Sequence, residues 1–134
     1  MPDVNLWAVL VAALMTFLLG GLWYSPKLFG NVWNREAGRP EKTAEQKGRH
    51  PAQVFGISFL LSLVAAYVFA MFLGPEPKLF PSIGAGAAAG ACWVAASFGI
   101  NYSFASRSLK LWLVDGGYHT VQFTLFGLVL GLWP

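Results

Sequence analysis

Charge is scarce in this chain. Asp, Glu, Lys and Arg make up 11% of its 134 residues, about half the usual globular share, too little to cover a water-facing surface. Cysteine is nearly absent. Its one copy, Cys92, excludes an internal disulfide and, set among alanines, is expected as a small buried packing residue. Met1-Pro2-Asp3-Val4-Asn5 offers no Lys or Arg ahead of the first apolar run, and that run ends in Trp23-Tyr24 rather than in small residues. Both features argue against a cleavable signal peptide, so the run is expected to persist as a helix. Nucleophile motifs are missing too: there is no Gly-x-Ser-x-Gly, and Ser97 before Phe98-Gly99 is no elbow. No phosphate loop or Asp-rich metal motif appears.

What the chain does have is apolar length. Four runs, roughly 6–24, 51–73, 81–102 and 111–133, fill almost all of it. Each is close to the ~20 residues that a helix needs to cross a bilayer core. Backbone polar groups must be satisfied within the segment in lipid, and these runs lack the alternation of barrel strands, so helix is the reading. The expectation is an all-α, polytopic membrane protein. One membrane domain, residues 1–134, would hold four transmembrane helices in a compact bundle, with a loop over 25–50.

The few charges are placed asymmetrically. With four spans, the first and third connections lie on one side. They hold Lys27, Arg35, Arg39, Lys42, Lys47, Arg49, Arg107 and Lys110, against Lys78 alone on the other side. By the positive-inside rule those connections are cytoplasmic, and both termini face outward. Glu36, Glu41 and Glu45 are interspersed with the bases, and orientation already explains the excess, so nucleic acid is not an expected partner. Leu28, Phe29, Val32 and Trp33 suit one face of a short interfacial helix. Pro40 and Gly48 bracket a second short helix over Glu41–Lys47.

Polar residues collect at the span ends that this topology places on the cytoplasmic side. Tyr24 and Ser25 close the first span, His50 and Gln53 open the second, Asn101 and Tyr102 close the third, and Asp115, His119 and Gln122 open the fourth. Asp115 and His119, four residues apart, share a helix face that Gln122 continues. An ionisable residue in an apolar run suggests function by default, and a carboxylate beside an imidazole suits a proton relay or general base. The alternative is structural. Asp115 would cap the true membrane helix at its N-terminus, Gly116-Gly117 would mark a bend or close helix approach, and His119 would bond Asn101 or Tyr102. Both readings stay open. Two histidines and one Asp are a thin ligand set, so no metal and no cofactor are expected.

Small residues recur at four-residue spacing: Ala8, Ala12, Thr16 and Gly20 in the first span, Ser58, Ser62, Ala66 and Ala70 in the second. Gly86 and Gly90 lie in a Gly/Ala run in the third, and Gly127 and Gly131 near the end of the fourth. Such stripes mark contact faces in lipid, and the third span is expected near the bundle centre. Gly21-Leu22-Trp23-Tyr24-Ser25 resembles Gly99-Ile100-Asn101-Tyr102-Ser103, and His-x-x-Gln recurs at His50/Gln53 and His119/Gln122. A parallel repeat of two helix hairpins would account for both.

The stretch Gly-x-x-Trp-Tyr-Ser-Pro-x-x-Phe-Gly-x-x-Trp (Gly20 to Trp33) resembles the first-helix motif of the DUF1761 family of small membrane proteins. Phe55-Gly56-x-Ser58-Phe59-Leu60-Leu61 is similar to that family's second helix. Asn101-Tyr102, Ser108-Leu109-Lys110-Leu111 and Asp115-Gly-Gly-Tyr118-His119 resemble its later signature. The resemblance implies a four-helix fold in a bacterial inner membrane and carries no activity. Three functions remain in play. The first is a binding or accessory bundle, surrounded by membrane lipids, homo-oligomeric, with an unidentified small-molecule ligand. The second is a homo-oligomeric transporter or channel for a small solute or ion, using Asp115 and His119. The third is a lipid-modifying enzyme with His119 as base, Asp115 as its orienter, and Tyr24, Asn101 and Tyr102 binding substrate. The motifs lean away from the enzyme.

Overall fold

The computed structural model describes residues 4–37 and 51–134. Regular structure among them is helical: α1 (Leu6–Trp23), α2 (Gly30–Glu36), α3 (Pro51–Leu73), α4 (Leu79–Ala88), a π-helical segment (Ala89–Ala95), α5 (Ala96–Phe104) and α6 (Leu109–Leu132). α4, the π segment and α5 run on without interruption as one rod. Three stretches are long and apolar enough to cross a membrane: Leu6–Trp23, Ala52–Leu73 and Leu79–Phe104. They match the first three expected spans, the third reaching two residues further at each end. α6 is equally long but is interrupted by Asp115, His119, Thr120, Gln122 and Thr124, and does not reach the hydropathy of the other three. The expected helix over Glu41–Lys47 lies outside the described residues.

Local chemistry explains the helix ends. Asn5 caps α1 by accepting from the Ala8 N–H at 3.2 Å, and its amide donates to the Trp133 carbonyl at 3.1 Å. α6 starts earlier than a cap at Asp115 requires. Ser108 accepts from the Leu111 N–H at 3.1 Å, so the hydroxyl satisfies the first turn and Asp115 lies within the continuous helix. Gly116-Gly117 makes no break there. A Cβ on Gly116 would sit 3.1 Å from that of Ala95, and one on Gly117 would sit 3.2 Å from the Trp23 ring, so the pair serves close approach.

α6, and not the third span, occupies the centre. It packs against α1, α2, α3, α4, the π segment and α5. The tightest seam is with the α4 rod, and glycine makes it possible. A Cβ on Gly86 would lie 2.0 Å from the Phe123 carbonyl oxygen, and one on Gly127 would lie 2.0 Å from that of Ser82. A Cβ on Gly90 would lie 2.6 Å from the His119 carbonyl oxygen, and one on Gly131 would lie 2.9 Å from the Leu79 Cα. Backbones in such contact gain dispersion and leave no room for side chains. Elsewhere the small residues fill the core: Ala8, Ala12, Thr16, Ser62, Ala66 and Ala70 are buried, with Phe126 and Leu130 from α6, while Ser58 is exposed. Cys92 is exposed, contrary to its expected burial, because the opposite face of its helix, at Gly90 and Ala95, carries the contact with α6.

The outside is apolar. Trp7, Leu18, Leu60, Leu61, Phe72, Phe80 and Trp93 are each more than half exposed. The two ends of the bundle differ. At one, Asn5 meets Trp133 and Pro134 beside the Gly74–Pro77 turn. At the other, the Arg107 guanidinium donates to the Ala37 carbonyl at 3.3 Å, joining the α5–α6 turn to the end of α2.

Candidate functional site

Asp115 sits in the second turn of α6 and is 6% exposed. A carboxylate placed there needs donors, and two phenols supply them. Tyr24, which ends α1 through its N–H to the Gly20 carbonyl, donates from Oη to Asp115 Oδ1 at 2.5 Å. Tyr102, in the last turn of α5, donates from Oη to Oδ2. Both carboxylate oxygens are thus held by short, charge-assisted bonds, and three helices meet on one side chain.

The α1–α6 seam is pinned twice more. Trp23 Nε1 donates to the Val114 carbonyl at 2.9 Å, and the buried Tyr118 donates to that of Thr16 at 2.9 Å. The Tyr24 ring packs against both Tyr118 and Trp33. On the far side, Trp112 Nε1 donates to the Ala95 carbonyl at 2.7 Å, fastening the end of the π segment to α6.

His119 follows one turn after Asp115 without a hydrogen bond to it. Its Nδ1 faces Gln122 Oε1 at 2.7 Å, and its ring stacks on Phe98 of α5 at 5.0 Å with a 17° tilt. An amide oxygen only accepts, so Nδ1 carries the proton, and in the neutral ring Nε2 keeps its lone pair. The expected carboxylate–imidazole dyad is therefore replaced by two separate pairings, Asp115 with tyrosines and His119 with Gln122. Proximity in the sequence suggested the dyad. The tyrosines win because a phenol is a stronger donor to a carboxylate and reaches it from neighbouring helices.

The other expected site residues do not converge. Ser25 donates locally to the Leu22 carbonyl at 2.7 Å. Asn101 and Gln53 are exposed, and His50 lies outside the described residues. The structure adds four residues to the site: Trp23, Phe98, Trp112 and Tyr118. Trp23, inside Gly-x-x-Trp-Tyr-Ser-Pro, and Tyr118, inside Asp-Gly-Gly-Tyr-His, had a sequence signal; Phe98 and Trp112 had none. Among the described residues no three His, Cys, Asp or Glu side chains gather as a metal site would require. The buried polar side chains there all have partners, so the cluster is satisfied internally.

No curated protein and no solved structure matches the chain. A family model described as "Protein of unknown function (DUF1761)" matches residues 7–131. Running from the second residue of α1 to the penultimate residue of α6, this match makes the chain a member of the DUF1761 family.

Proposed function

We propose that the chain is an integral protein of a bacterial cytoplasmic membrane, with α6 as its fourth span, and that it acts as a binding or accessory bundle. The observation that carries this reading is the pair of tyrosines on Asp115. A carboxylate that couples transport must be free to exchange a proton or an ion. This one has both oxygens engaged by helices that would have to separate first. A base assisted by Asp115 would need that carboxylate as the orienting partner of His119, and the tyrosines hold it instead.

The placement of α6 supports its being a span. Its polar groups bond inward, and three apolar helical segments surround it, which is how ionisable residues are tolerated in lipid. The basic residues of the first and third connections favour a cytoplasmic location for that end, with both termini outside. Tyr24 and Tyr102, matched positions of the two similar Gly-x-x-Tyr-Ser segments, grip the two oxygens of one carboxylate, which favours descent of the two hairpins from a parallel repeat.

The test is reconstitution in liposomes of wild type and Asp115→Asn, with ion-flux and thermal-stability readouts, beside native mass spectrometry for retained ligand and oligomeric state. An accessory bundle gives no flux in either protein and a lower melting temperature for the variant. Flux that Asp115→Asn abolishes at unchanged stability would overturn the reading in favour of a transporter.

A further inference from the structure

α3 packs on α1 and α6 and stands apart from the α4 rod. The gap between them is an open groove of about 330 Å³, lined among others by Phe69, Phe72, Ala85, Ala88, Cys92 and Trp93. That volume is at the lower end of the ~300–1,000 Å³ typical of small-molecule sites. Its walls come from two of the stretches apolar enough to span a membrane, so in a bilayer the medium at its mouth is hydrocarbon.

The groove has a polar neighbour. Phe69, in its wall, packs edge-on against Phe123 of α6 with ring centroids 5.8 Å apart. His119 lies one turn from Phe123 on the same face of α6. Opposite, the His119 backbone abuts Gly90, in the π segment that supplies Cys92 and Trp93. Its ring rests on Phe98, six residues past Cys92 and therefore about 9 Å further along the rod. His119 Nδ1 is engaged by Gln122, and among the described residues Nε2 has no partner. Since no buried polar atom there is left unpaired, Nε2 reaches the surface.

We propose that this groove and His119 form a lateral binding site for a neutral lipid alcohol, its chain in the groove and its hydroxyl donating to His119 Nε2. The proposal rests on the membrane reading above and names the ligand class for it. Hydrogen bonding selects the head group. A lone-pair nitrogen asks for a donor, which a hydroxyl supplies and a phosphodiester oxygen does not.

The chain carries its own reporter, since Cys92 is its sole cysteine, is exposed and lines the groove. The experiment measures the rate at which N-ethylmaleimide labels Cys92 in detergent, with dioleoylglycerol or dioleoylphosphatidylcholine added. Dioleoylglycerol at ten times its Kd should slow labelling about tenfold. The phosphatidylcholine, whose head group has no donor, should protect far less. His119→Phe, which keeps a ring against Phe98 and removes the acceptor, should weaken dioleoylglycerol binding by about tenfold in Kd. Phe98→Leu provides a second variant should the first not fold: it loosens the ring stack and should weaken protection to a lesser degree. Equal protection by both lipids, or full protection of His119→Phe, overturns the head-group assignment. No protection by either lipid overturns the site. In both cases a ligand retained by the wild type in native mass spectrometry leaves the binding-bundle reading standing, whereas carboxylate-dependent flux in liposomes is what defeats that reading.

Discussion

Tyr24 reaches Asp115 across 91 positions of sequence and closes a 2.5 Å hydrogen bond to it. Tyr102 takes the other oxygen of the same carboxylate, so the end of α1 and the end of α5 are tied through α6. The bond does for this protein what burial of apolar surface does in water. Between helices in lipid there is no hydrophobic driving force, and polar contacts with close packing must hold the bundle.

Removing one tyrosine hydroxyl leaves the carboxylate with a single donor. Tyr24→Phe and Tyr102→Phe should each lower stability by about 1 kcal/mol, between the small averages of membrane proteins and the larger values for charged hydrogen bonds in water. The double variant strands a buried carboxylate, so its loss should exceed the sum of the two by about 1 kcal/mol or more. Reversible unfolding in mixed micelles measures all three, and simple additivity would show that the two bonds are independent.

Glycine at the α4–α6 seam gives a sharper contrast. Gly86→Ala and Gly127→Ala each drive a methyl against a backbone carbonyl that cannot swing aside, and should cost about 1–3 kcal/mol. Gly84→Ala, four residues from Ala88 on the same helix, meets open space. It should be neutral or stabilising by up to ~1 kcal/mol, because alanine is the better helix former. The same unfolding assay reads both; destabilisation by Gly84→Ala to the level of Gly86→Ala would mean that this seam is not the tight one.

Much of this was legible in the residues. Apolar length located three helices to within a residue or two, and the small-residue stripes, Ser58 apart, marked faces turned toward neighbouring helices. Asp115, Tyr24 and Tyr102 were all singled out because polar groups cluster at the same ends of the spans. Their pairing was not legible. Helical spacing reports which residues share one face, so it joined Asp115 to His119, whereas the actual partners arrive from other helices. The centre of the bundle was misjudged for a related reason. A glycine-rich span looks like the one that everything packs on, but α6 supplies the polar groups that need shielding on all sides. Cys92 is exposed because it lies opposite Gly90, the glycine that meets α6, and composition does not say which face makes that contact.

The proposed membrane orientation has a test of its own. Asn5 binds the Trp133 and Pro134 carbonyls, so both chain ends share one side, and Arg107 binds Ala37 at the other. Alkaline phosphatase fused after Pro134 should be active in the periplasm, and the same enzyme inserted after Ala37 should be silent. The reverse pattern would invert the topology and move the Asp115 cluster to the outer leaflet.

The π segment deserves the most exacting test. A π turn accommodates roughly one more residue than the α-helix it interrupts, and at this one Trp112 holds the Ala95 carbonyl. Beyond it, α5 must present Phe98 to His119 and Tyr102 to Asp115. Deleting Ala91 should let the segment relax to α-helix while α5 keeps its phase, because the lost residue is the surplus one. Inserting an alanine after Ala96 instead turns Phe98 and Tyr102 by about 100° away from α6. The deletion should therefore retain most of the wild-type stability, and Tyr102→Phe should still cost it about 1 kcal/mol, the sign that the Tyr102–Asp115 bond persists. The insertion should be strongly destabilised, and adding Tyr102→Phe to it should cost nothing further. If the deletion proves as damaging as the insertion, the π turn itself, rather than the phase of α5, is what the fold requires.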